Sequence, residues 1–171
     1  MKKILLLLIP ILVLFPSCQP KEEQILTEQE AKDILNKLMQ TVRNVDTTLV
    51  DEILHPDCVL RYPLLPEPIK GTYAYKKFIK GTAITFTDFN GVVEEVNVKG
   101  DRIWCRYSMS GINTGPLGDI PATGKKFQVT GMAITRIVDG KIIEDETYWN
   151  ALSLYQQLGF SLSPPMVEVD N

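Results

Sequence analysis

Histidine is nearly absent from this chain, and cysteine and tryptophan are scarce: the 171 residues hold one histidine, three cysteines and two tryptophans. No zinc-ligand spacing can be drawn from so few ligands, so neither a metal nor any other cofactor is expected. The lone histidine, His55, stands at a helix-to-strand turn, where a structural role is the plainer reading than a catalytic one. Basic residues are outnumbered 18 to 21, and none of them cluster. Nucleic acid is therefore not expected as a partner, because its binding needs lysines and arginines that displace counterions. No apolar run is long enough to cross a bilayer as a helix.

The short apolar run that is present, Ile4 to Phe15, follows Lys2 and Lys3 and precedes Pro16-Ser17-Cys18. A charged start, a short apolar core and a small residue before cysteine read as a lipoprotein signal peptide over residues 1–17, with Cys18 lipidated. An ordinary cleaved signal, with Cys18 incidental, is the alternative. Residues 18–26 then form the lipidated end and a polar tether. This places the protein in a bacterial cell envelope, exported and held to a membrane by its lipid anchor alone. Residues 27–163 are long enough for one domain with its own core, and 164–171 form a C-terminal tail. Export makes a disulfide between Cys58 and Cys105 possible. Both, however, fall on apolar strand parities that suit inert buried thiols.

Thr27-Glu-Gln-Glu30 is a capping box, and Ala31, Ile34, Leu35, Leu38, Met39 and Val42 recur behind it as one helical stripe. A second short helix is predicted over Asp46 to Leu54 and a third over about Thr72 to Ile79. Strands follow from period-two alternation. Cys58, Leu60 and Tyr62 share a face. Val92, Val96 and Val98 oppose Val93, Glu95 and Asn97. Ile103, Cys105, Tyr107, Met109, Gly111 and Asn113 share the apolar side of the next strand. Lys126 to Ile137 is apolar on both parities and its faces stay open. Helices first and an antiparallel meander after them give an α+β fold.

The segment from Gly111 through Pro121-Ala-Thr-Gly-Lys125, and that from Asp139-Gly-Lys-Ile142 to Gln157-Leu-Gly159, resemble the SnoaL-like polyketide (ester) cyclases of the NTF2-like superfamily. The resemblance covers roughly Gln29 to Gly159. It implies a cone-shaped, curved antiparallel sheet wrapped around the N-terminal helices, with a pocket at its wide end. In that family an aspartate commonly ends the last strand as general acid/base, and a histidine often precedes the glycine-rich loop. The matching positions here are Asn150 and Asn113. An amide donates and accepts hydrogen bonds but moves no proton near neutral pH.

The resemblance places the Asn150 face of the last strand inward, and strand alternation then carries Glu144, Glu146 and Tyr148 with it. Asn113 arrives at the same cavity through the apolar parity of its own strand. The expected ligand-binding set is Tyr62, Tyr107, Asn113, Glu146, Tyr148 and Asn150. Asn150 has two readings: an amide that polarises a ligand carbonyl, or a cap for the helix starting at Ala151. Glu146 also has two, a general base relocated from position 150 or an ion pair with Arg106 or Arg136. Two functions follow. One is an anchored protein that binds a small hydrophobic or polycyclic ligand. The other is a cyclase, isomerase or hydratase that uses Glu146 as base. Trp104, Ile112 and Trp149 take the opposite parity, and together with the resemblance they lead to the expectation of a homodimer through the outer sheet face.

Overall fold

A computed structural model of the chain describes residues 26–163. The signal segment, Cys18, most of the tether and the tail lie outside the described residues. The order is α1 (Glu28–Asn44), α2 (Thr47–Ile53), β1 (Leu54–Arg61), β2 (Ile69–Lys70), α3 (Gly71–Thr85), β3 (Phe86–Lys99), β4 (Arg102–Asn113), β5 (Lys126–Val138), β6 (Lys141–Trp149) and α4 (Ala151–Gln157). The fold is α+β. Six strands make one curved sheet ordered β2-β1-β6-β5-β4-β3, antiparallel except where β1 runs parallel to β6.

Local chemistry sets the helix ends. Thr27 and Glu30 cap α1 reciprocally, and the Asp46 carboxylate accepts from the Thr48 and Leu49 amides at the start of α2. Asp46 is therefore the cap rather than the first helical residue. Helix α3 runs six residues past Ile79, through Gly81, with the Thr82 hydroxyl bonded back to the Phe78 carbonyl at 3.0 Å. Ala31, Leu35 and Leu38 of α1, with Tyr75 and Ile79 of α3, bury their stripes against the concave sheet face. Cys58 and Cys105 are free, buried thiols.

Two of the sheet's register shifts reset which side chains of β3 and β6 face the helices, and period-two counting misses both. The β3–β4 register shifts between Val93 and Glu95. An extra residue flips the alternation, so Val93 is buried ahead of the bulge while Val96 and Val98 face the helices beyond it. Val92, expected beside Val96, is 45 % exposed. In β6 the pairing passes from Ile137↔Ile142 to Arg136↔Glu144, which leaves Ile143 extra. Ile142 and Asp145 consequently both point inward. On β5 the odd residues from Phe127 to Ile137 face the helices, while Met132 and Ile134, the cause of the ambiguity, lie on the outer face.

Candidate functional site

Between α1, α3 and the concave sheet lies a cavity of about 510 Å³. Its walls are apolar and aromatic, including Met39, Phe78, Met109, Phe127, Trp149 and Leu154. One side closes on the main core. The other meets a smaller cluster of Phe127, Val129, Leu154 and Leu158, packed with Leu64, Leu117 and Trp149. A largely apolar cavity with a few polar groups is the usual make-up of a small-ligand site.

Polar groups in the wall are few. Tyr62 stacks on Phe78, ring centroids 5.1 Å apart, and the buried Tyr75 hydroxyl lies 3.1 Å from the Thr41 hydroxyl. Tyr107 crosses from β4 to its partner Gly131 on β5, where a Cβ would come within 2.5 Å of the tyrosine hydroxyl. Glycine at that point is what lets the ring lie down.

Among the described residues Asp145 is the one carboxylate in the lining, and it is 2 % exposed. Thr135 donates to one of its oxygens at 2.6 Å and Thr147 to the other at 3.1 Å. Burial raises its pKa above the ordinary 3.8, against the opposing pull of those two hydrogen bonds. Burial and then the Asp145 charge also push the Cys105 thiol up to about 12 and raise the Tyr107 phenol. Among the described residues, no lysine, arginine or histidine lines this cavity.

The structure divides the six expected ligand residues. Tyr62 and Tyr107 line the cavity. Asn113 is buried inward but fully occupied: its amide nitrogen donates to the carbonyls of Thr85 and Gly115, and its oxygen accepts from the amide and hydroxyl of Thr123. It closes the glycine-rich loop. Glu146 and Tyr148 face outward and bond to each other, with Tyr148 56 % exposed. The inward orientation expected for both is corrected by the true phase of β6, which turns Asp145, Thr147 and Trp149 to the cavity. Asn150 is exposed, and its side-chain oxygen accepts from the Ser153 amide at 2.9 Å as the cap of α4. Trp149, assigned to the outer face, lines the cavity instead. Glu144 lies 3.4 Å from Arg136, and the His55 ring accepts from the Asp57 amide at 3.1 Å.

Asp145, Thr135, Thr147 and Trp149 are the site residues that sequence reasoning missed. A signal existed: two glutamates on one parity of β6, against threonine and tryptophan on the other, favours the second as the inward side. Gly131 in mid-strand was the corresponding mark of a close approach.

These features belong with a known family. Residues 32–158 match the profile of the SnoaL-like polyketide cyclases, and the chain belongs to that family. It is 26% identical over 130 residues to the aklanonic acid methyl ester cyclase DnrD of Streptomyces peucetius, a match covering 74% of this chain and 89% of that one. It is 28% identical over 112 residues to the nogalonic acid methyl ester cyclase of Streptomyces nogalater, covering 64% and 83% of the two chains. The solved structure of TsrD from Streptomyces laurentii superposes with a TM-score of 0.69 at 26% identity, covering 78% of this chain and 98% of that one. The cone is thus an NTF2-like scaffold.

Proposed function

We propose that the cone binds a small hydrophobic or polycyclic ligand, and that Asp145 is the group able to move a proton on it. The supporting observation is one ionisable carboxyl in an apolar wall, held by two threonine hydroxyls and raised by burial. Those are the conditions that tune a carboxylate toward general acid/base work near neutral pH. Glu146, facing away, is not retained as base. A binding-only protein is the second reading. It is favoured by Asn113 and Asn150, amides at the positions where the resembled pattern carries proton carriers, each committed to a structural bond.

Binding itself has a direct readout. Trp149 lines the cavity and Trp104 does not, so in Trp104→Phe the one remaining tryptophan reports on the site. Titration with 2-acetylnaphthalene should quench its fluorescence saturably. A response that rises linearly without saturating, or none at all, would remove the ligand-binding proposal.

Two further proposals concern setting. Lipid on Cys18 would hold the domain at the cell envelope. A labelled fatty-acid analogue should mark the wild type and spare Cys18→Ala, and equal labelling of both would refute it. Pairing of two copies through the outer face draws on Met132 and Tyr148, facing partners on β5 and β6 that are 57 % and 56 % exposed. A monomer by light scattering at micromolar concentration would count against it.

A further inference from the structure

Among the described buried side-chain nitrogen and oxygen atoms, the Tyr107 hydroxyl alone has no hydrogen-bond partner. Buried polar groups are almost always paired, so an unpaired one inside a binding cavity calls for a physical account. Tyr107 is 2 % exposed and lines the cavity. Its hydroxyl rests over Gly131, and the nearby Thr147 hydroxyl, which gives its own proton to Asp145, does not meet it in hydrogen-bonding geometry. The neighbouring polar groups are the phenols of Tyr62 and Tyr75, each with a proton to give, and Asp145, which acts on all three tyrosines. With no cation among the described lining residues, none of them compensates a ligand's negative charge.

From these placements we infer that the closed end of the cavity receives a neutral oxygen of the ligand, a ketone, quinone or similar carbonyl, with the Tyr107 hydroxyl as its hydrogen-bond donor. The ligand enters oxygen end first, its flat apolar body against Trp149, Phe78 and Met109. A carbonyl supplies the acceptor that Tyr107 lacks. A hydrocarbon of the same shape leaves it unmet, and a carboxylate meets Asp145 with no counter-charge. Tyr107 so placed also fixes which carbon of the ligand lies beside Asp145, which makes it a specificity determinant. This inference rests on the cavity being a ligand site, as proposed above.

The test uses three probes of matched shape, 2-acetylnaphthalene, 2-ethylnaphthalene and 2-naphthoate, titrated against the Trp104→Phe protein with and without Tyr107→Phe. The ketone should bind about tenfold more tightly than the hydrocarbon, the size of one buried hydrogen bond, and the carboxylate weakest of the three. Tyr107→Phe should cut ketone affinity about tenfold and leave the hydrocarbon unchanged. The carbonyl stretch of the bound ketone should move to lower frequency in the protein with Tyr107 and return toward its apolar-solvent value in Tyr107→Phe. Phenylalanine removes only an unpartnered hydroxyl, so the melting temperature should hold or rise, and a fall would mean the hydroxyl is satisfied within the protein and overturn the inference. Equal ketone and hydrocarbon affinities, or a carbonyl stretch indifferent to Tyr107, overturn it while leaving the ligand site standing. Failure of all three probes to bind removes the ligand site and this inference together.

Discussion

Asp145→Asn is expected to abolish proton transfer while sparing ligand binding. In deuterated water the wild type should exchange the hydrogens next to the carbonyl of 2-acetylnaphthalene, a reaction in which the C–H proton passes to the carboxylate and a solvent deuteron returns. General acid/base groups commonly supply about a hundredfold to ten-thousandfold, so exchange by Asp145→Asn should fall by that order. Glu146→Gln, on the outer face and bonded to Tyr148, should exchange like wild type. Exchange that survives Asp145→Asn would place the chemistry elsewhere. A wild type that binds the ketone without exchanging it would establish the binding-only reading.

The same substitution should change stability in a pH-dependent way. The folded-state pKa of Asp145 is raised above its ordinary 3.8, so the native state holds this proton more readily than the unfolded chain. Its contribution therefore stands below about pH 3.8 and is lost as pH rises toward the folded value. Asparagine carries no charge to bury. The melting temperature of Asp145→Asn relative to wild type should accordingly climb from acid toward neutral pH. An advantage that shrinks over that range would mean the carboxylate is stabilised rather than strained by its site.

Asn113→Ala should be the costliest of the single changes considered, and for a purely structural reason. The side chain is 1 % exposed and makes four hydrogen bonds, at 3.2, 2.8, 2.8 and 3.0 Å, that tie the end of α3 and both arms of the glycine-rich loop to β4. Truncation takes this partner from the Gly115 carbonyl and the Thr123 amide, a loss of about 3 kcal/mol. For a domain of this size that lowers the melting temperature by roughly 10 °C. A shift of only a degree or two would mean that water replaces the amide, and that position 113 is freer than its bonding indicates.

The two asparagines illustrate how far the residues alone could carry the reading. Alternation on β4 places Asn113 inward, and the structure keeps it there, but its saturation by the loop is a long-range fact: Thr123 lies ten residues away and Thr85 twenty-eight. For Asn150, the capping alternative was legible from Ala151 onward, and that is the bond the side chain makes. Helix starts were equally legible, since Thr27 and Asp46 act on amides two or three residues on. What stayed hidden was where the bulges fall. A bulge inserts one residue and inverts every face beyond it, and neither Val93-Glu94-Glu95 nor Ile142-Ile143-Glu144 announces one. Anchoring the phase of β6 at Asn150 sent Glu146 and Tyr148 inward and Asp145 and Trp149 outward, the reverse of their positions.

β6 buries the Asp145 carboxyl in the cavity wall, and titrating that carboxyl is the decisive measurement. With aspartate carboxyl carbons labelled with carbon-13, the signal that disappears in Asp145→Asn can be followed through pH by magnetic resonance. Its midpoint should lie above 3.8 and move further when 2-acetylnaphthalene is bound. A midpoint at or below 3.8, indifferent to the ketone, would place this carboxyl in water or in an ion pair and rule out its burial in the cavity wall.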